Sequence, residues 1–214
     1  MSGAVVILLV VALVVAAVDW WAVATERRTV EYVAKPGTMV VLIAAALTLD
    51  PADGTARGWF VAALVLSLVG DVFLMLPRDL FVAGLASFLL GHVAYIVGLL
   101  SGDTSATGLL VGAAIIVVAL PLVGGRVLRA VRAGDEPELT VPVALYILVI
   151  SAMVVSAGAS GSAVALAGAL SFYVSDALIA WTRFIRPFAW GRVAVMVTYH
   201  AAQIALVASL TTSG

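Results

Sequence analysis

Eight apolar runs dominate the sequence, at approximately 3–24, 36–49, 58–76, 81–100, 107–123, 140–157, 161–182 and 190–210. A bilayer core is crossed by about 20 apolar residues in a helix. Lipid offers the backbone no hydrogen-bonding partner, so such a segment must satisfy its own amides as a helix. The expectation is therefore all-α: a polytopic membrane bundle of eight transmembrane helices, forming a single integral membrane domain over 1–214 with short loops. Only 11% of the residues are charged, against about a quarter in soluble domains, so no water-soluble surface can be made. The 64% hydrophobic content excludes disorder. A formal charge of −1 leaves no electrostatic footprint for nucleic acid. The absence of cysteine removes disulfides, thiolate metal sites and a cysteine nucleophile. The first run has no cation before it and exceeds a signal peptide's apolar core, so it reads as a retained helix.

The cations set an orientation, because Lys and Arg stay in cytoplasmic loops. Arg27, Arg28 and Lys35 fall in loop one, Arg78 in loop three and Arg126, Arg129 and Arg132 in loop five. Arg183, Arg186 and Arg192 flank loop seven, and the even loops hold only Arg57. The odd loops are thus expected in the cytoplasm and both termini outside, in what reads as a bacterial plasma membrane.

Spans three and four resemble spans seven and eight. Val69-Gly70-Asp71 precedes Arg78 by seven residues from the Asp, then comes Phe81-Val82-Ala83-Gly84. Val174-Ser175-Asp176 precedes Arg183 by the same interval, then comes Phe188-Ala189-Trp190-Gly191. Eight residues beyond those glycines lie His92 and Tyr199. Such a match would make the halves a parallel four-plus-four repeat about an axis along the membrane normal.

Asp71 and Asp176 both lie inside spans, each about 10 Å of helix before its edge arginine. An Asp at the centre of a span costs about 2.5–3.5 kcal/mol on insertion scales, so both should face the bundle interior. An ionisable residue there is a functional candidate by default. Ser67, Tyr173 and Ser175 are helical neighbours of the acids, and span four adds Ser87, His92 and Tyr95. Span eight adds Tyr199, His200 and Gln203. Asp19, beside Trp20 and Trp21, reads as interface anchoring. Gly84, Ser87 and Gly91 read as close-packing positions.

Taken together, these stretches resemble the YhhN-like lysoplasmalogenase family of eight-span membrane proteins. The likeness rests on Gly70-Asp71-Val72-Phe73-Leu74-Met75-Leu76, on Phe81-x-x-Gly84-Leu85-x-x-Phe88-Leu89-Leu90-Gly91-His92-x-x-Tyr95 and on Phe172-Tyr173-Val174-Ser175-Asp176 with Arg183-Phe184. Tyr199-x-x-x-Gln203 and Lys35-Pro36 also fit. The resemblance implies hydrolysis of the vinyl ether of a lysoplasmalogen, a single-chain phospholipid, to a fatty aldehyde and glycerophosphocholine or glycerophosphoethanolamine. It makes Asp71 and Asp176 the catalytic pair, with no cofactor.

The chemistry suits two acids. A vinyl ether hydrolyses by protonation at its β carbon, giving an oxocarbenium ion that water captures. That needs a protonated carboxyl and a nearby anion, which two poorly solvated carboxyls sharing one proton can supply. His92, Tyr95, Tyr173, Tyr199, His200 and Gln203 would orient water or the glycerol hydroxyl. Arg78 and Arg183 could pair with the phosphate. Two alternatives stand beside this. A zinc hydrolase needs three protein ligands, and with only His92 and His200 an Asp would have to be the third. A proton-coupled transporter could also use the Asp pair. Oligomeric state is left open by the sequence.

Overall fold

The computed structural model describes residues 2–49 and 54–211. Among them every regular element is helical, and eight helices are long and apolar enough to cross a membrane. The spans are α1 (Gly3–Ala24), α2 (Arg28–Thr48), α3 (Gly54–Met75), α4 (Phe81–Leu99), α5 (Ala106–Ala119), α7 (Thr140–Ala159), α8 (Ala163–Phe184) and α9 (Gly191–Ser209), with a short α6 (Gly125–Ala133) continuing α5. Spans six, seven and eight of the sequence are thus α7, α8 and α9. Ser2, Ser105 and Ser162 cap α1, α5 and α8, each side-chain oxygen accepting from the amide three residues on. Such caps satisfy donors that a helix start otherwise leaves bare.

Two boundaries differ from expectation. Span two begins at Arg28, eight residues before the expected 36, and carries Pro36 in its interior. The Lys35-Pro36 pair read as a loop and helix start, since proline favours that position. In fact Glu31 and Lys35 sit one turn apart on the buried face, and partners on other helices neutralise them. Lys35 is therefore not a loop cation. Span five, expected to stop at 123, runs on through a π-helical stretch (Leu120–Gly124) into α6. Arg126, Arg129 and Arg132 lie on its exposed face, while Val127 and Val131 are buried beneath. This is an amphipathic interface helix in place of the expected loop.

Seven spans follow one another round a ring in the order α1, α2, α3, α4, α7, α8 and α9, with α9 closing onto α1. Helix α5 stands outside, packed on α7. Those two backbones touch: a Cβ on Gly108 would collide with the carbonyl of Gly158, and one on Gly158 with that of Gly108. Small residues permit such approach between helices in lipid. Gly91 likewise lets α4 close on Ala63 and Ser67 of α3. The core gathers round Phe60, Phe88, Tyr95, Phe172 and Tyr199, whose rings meet edge to face, the favoured geometry for aromatic pairs. The outward faces of α1 and α5 remain covered in exposed Val, Leu and Ile, as a lipid-facing surface requires.

Candidate active site

Asp71 and Asp176 both point inward, onto one cleft of about 420 Å³. It opens at the end of the bundle where α2, α4 and α9 begin and α3 and α8 end, so Arg28, Arg183 and Arg192 stand at its mouth. Lys35, Ser175 and Tyr199 line it deeper, with Leu74, Phe81 and Phe88 as its apolar wall.

Each acid has its own donors. Asp71 is 1% exposed; its carboxylate lies 3.0 Å from the Lys35 ammonium and accepts a hydrogen bond from the Tyr199 hydroxyl at 2.6 Å. Asp176, with a side chain 12% exposed, accepts from the Tyr146 hydroxyl at 2.6 Å and lies 3.1 Å from Nε2 of His92. That same nitrogen is 2.9 Å from the Tyr146 hydroxyl. The two acids thus face a common space, each with its own partners. The donor sets are alike in origin. Each acid is reached from the preceding helix of the ring (Lys35 on α2, Tyr146 on α7) and from the opposite hairpin (Tyr199 on α9, His92 on α4).

The other expected residues divide. Tyr199 and His92 meet the acids as described. Tyr95 donates to Oε1 of Gln203 at 2.5 Å, bracing α4 against α9, and neither lines the cleft. His200 accepts from the Trp20 indole at 3.0 Å through Nδ1 and faces α1 rather than the acids. Tyr173 points to an adjoining apolar groove instead of bonding Asp176. Ser175 donates to the carbonyl of Val195, and the Ser67 hydroxyl has no hydrogen-bond partner among the described residues. Arg183 grips Asp79 at 3.1 Å and Glu136 at 3.0 Å and stacks 4.0 Å over the Phe81 ring, which ties the α3–α4 and α6–α7 turns to the end of α8. Arg78 is exposed and outside the cleft, so its expected pairing with a bound phosphate has no support in the geometry.

Five residues around the cleft were missed or misplaced. Lys35 and Glu31 were legible as a pair, since Arg28, Glu31 and Lys35 fall on one helical face. Arg192 holds Glu31 at 2.8 Å. Tyr146 stands alone in an apolar run and gave no signal. Asp19, expected at the interface, is fully buried; among the described residues neither oxygen has a hydrogen-bond partner, and it lies in the electrostatic neighbourhood of Lys35, Glu31, Asp71 and Arg192. Asp19 falls on the buried stripe of α1 with Val5, Ala12, Ala16 and Val23. Among the described residues no three His, Asp or Glu groups converge as a metal ion needs, and His92 and His200 engage different partners. The zinc alternative thus lacks a ligand set there.

An acid pair held by neutral and cationic partners, in a cleft with a basic rim inside a bundle of helices able to cross a membrane, defines an integral membrane protein with a buried acidic cleft. The sequence model of the YhhN family matches residues 30–210, and the chain belongs to that family. It is 34% identical over 147 residues to a human protein named lysoplasmalogenase TMEM86B, covering 69% of this chain and 61% of that one. It is 35% identical over 176 residues to proteins named lysoplasmalogenase from Mycobacterium bovis and Mycobacterium tuberculosis, covering 80% of this chain and 67% of each. No solved structure matches the chain.

Proposed function

We propose that the protein is a lysoplasmalogenase: it hydrolyses the vinyl ether of a single-chain phospholipid to a fatty aldehyde and a glycerophosphodiester. The names of its relatives support this. So does one structural observation, two carboxyls of different company at the meeting of a basic cleft mouth and an apolar wall. Carbon protonation needs an acid in a poorly solvated place, and the oxocarbenium ion needs an anion beside it. Asp71 and Asp176 are the catalytic residues in this reading. Tyr146 and His92 position Asp176, and Lys35 and Tyr199 position Asp71. Arg28 and Arg192 at the mouth suit the phosphate, with Arg183 shaping the rim from its clamp on Asp79 and Glu136.

The bilayer delivers the substrate, with the phosphate at the interface and the tail in the helices. By the cation bias this mouth faces the cytoplasm, with both termini outside, in a bacterial plasma membrane. The test is mass spectrometry of purified protein with alkenyl, alkyl and acyl lysolipids in parallel. Aldehyde should form from the alkenyl lipid alone, because an alkyl ether has no carbon to protonate. Release of fatty acid from the acyl lipid would replace this reading with that of a lysophospholipase, and flux into proteoliposomes without product would favour a transporter.

A further inference from the structure

An apolar groove adjoins the cleft, bounded by α4, α7, α8 and the interface helix α6. Leu85, Val127, Val143, Ile147 and Ala180 line it. Leu74, Phe81, Phe88 and Ile179 line both spaces and so form the partition between them. One carboxyl is common to the two: Asp176 lines groove and cleft, whereas Asp71 lines the cleft only.

We propose that this groove takes the hydrocarbon tail of the lipid and that Asp176, standing where groove and cleft meet, is the acid that protonates the alkene. The inference rests on the vinyl ether reading and deepens it. Its occupant follows from adjacency: the groove is apolar along its length and borders the polar cleft at Asp176, with only side chains between the two spaces. A lipid lying across that junction puts its glycerol and phosphate in the cleft and its chain in the groove.

The alkene has two carbons, and the one to be protonated is the one bearing the chain. It therefore lies on the groove side of the ether oxygen, beside Asp176 and away from Asp71. The carboxyl proton passes to that carbon, the alkene π pair forms the new C–H bond, and the ether oxygen shares the positive charge on the other carbon. Asp176 is left as the carboxylate beside that cation. Water from the cleft then adds to the cationic carbon and gives its proton to a carboxylate. The hemiacetal breaks its bond to the glycerol oxygen, which takes the hydroxyl proton as the aldehyde forms. Asp71, ion-paired with Lys35 on the cleft side, serves the water and glycerol half of the reaction.

The chain site is tested without turnover by an alkyl-ether lysophospholipid carrying a diazirine a few carbons along its tail. Photolabel should appear on peptides containing Val127, Val143 or Ala180 and fall at least about fivefold with excess alkenyl lysolipid. Label elsewhere, or label that the lysolipid does not displace, overturns the chain site, the latter pointing to bulk bilayer lipid in the groove. In Ala180→Leu the ratio of kcat/KM for a long-chain over a short-chain alkenyl lysolipid should drop on the order of tenfold, the scale on which a filled hydrophobic pocket discriminates; an unchanged ratio counts against the site. If the label lies in the groove while wild type leaves vinyl ethers intact, the chain site stands and the proposed activity falls.

For the proton, the aldehyde made in deuterated water is trapped as the alcohol. Asp71→Asn should yield a reduced amount with one handedness at the deuterated carbon. Asp176→Asn should yield racemic product at the uncatalysed rate. A single handedness from Asp176→Asn, or no product above background from Asp71→Asn, overturns the assignment.

Discussion

Replacing Lys35 by Met probes the buried charge that the sequence left in a loop. The ammonium is 3.0 Å from Asp71, and both side chains are almost wholly enclosed. Met keeps the unbranched stem and removes only the charge. Asp71 then keeps its hydrogen bond from Tyr199, and Asp19, without a hydrogen-bond partner among the described residues, loses a neighbouring cation. Breaking one member of a buried pair costs about 3–5 kcal/mol because it strands the other charge. For a chain of this size each kcal/mol moves the melting temperature by about 2–4 °C, so Lys35→Met should melt roughly 6–20 °C below wild type. Asp71→Asn in the same protein removes one stranded acid, and the double variant should recover about 1–3 kcal/mol relative to the sum of the singles. The assay is tryptophan-fluorescence melting of purified protein in one mild detergent, with all four members of the cycle. A Lys35→Met melt within about 1 °C of wild type, with additive effects, would refute the claim that this ion pair is structural. Both side chains are buried, so the surface that detergent covers is the same in all four proteins.

Three further outcomes are expected. Tyr146→Phe removes one hydrogen bond that positions Asp176, worth about 0.5–1.5 kcal/mol for a neutral acid; kcat for the alkenyl lipid should fall roughly two- to tenfold with little change in KM, and an unaltered kcat would remove Tyr146 from the site. Gly158→Leu forces α5 away from α7 where their backbones touch, at about 1–3 kcal/mol for overpacking, so its melt should drop while Gly54→Ala, in open space, melts like wild type. At the rim, the hydrogen bond from Arg183, then that from the Phe81 amide, hold the Asp79 carboxyl below its usual value. A depressed carboxyl stabilises the fold above its unfolded value and ceases to do so as pH falls through the folded one. Melting should therefore be level from pH 7 to 5 and lose a little below about pH 4, with the loss absent in Asp79→Asn. Asp79 is exposed, so solvent screening keeps this contribution under about 1 kcal/mol.

Apolar length carried the fold. All eight spans, and the inward direction of Asp71 and Asp176, followed from the cost of leaving polar groups in lipid. What misled was charge near a span end. Lys35 and Asp19 read as loop and interface residues because each alone would be costly inside, yet with Glu31, Arg192 and Asp71 they form one charge cluster across α1, α2, α3 and α9. That clustering is tertiary and leaves only a helical spacing of charges as its trace. Tyr146 left no trace, since a lone tyrosine in an apolar helix is commonplace. His200 and Tyr95 were placed near the acids by depth alone; their rotation about the helix axis sends them to Trp20 and Gln203 instead. We propose the parallel repeat as the origin of the matched donors round the two acids. It is incomplete in the ring, where α1 packs on α9 but α5 stands outside on α7.

The measurement that reaches the central claim is vinyl ether turnover by wild type, Asp71→Asn and Asp176→Asn, each assayed well below its own melting temperature. Loss of positioned acid/base catalysis costs about 10²–10⁴-fold, and each Asn variant should lose turnover on that scale while still binding the alkyl-ether lysolipid. Either variant cleaving the alkenyl lipid at the wild-type rate would contradict the account.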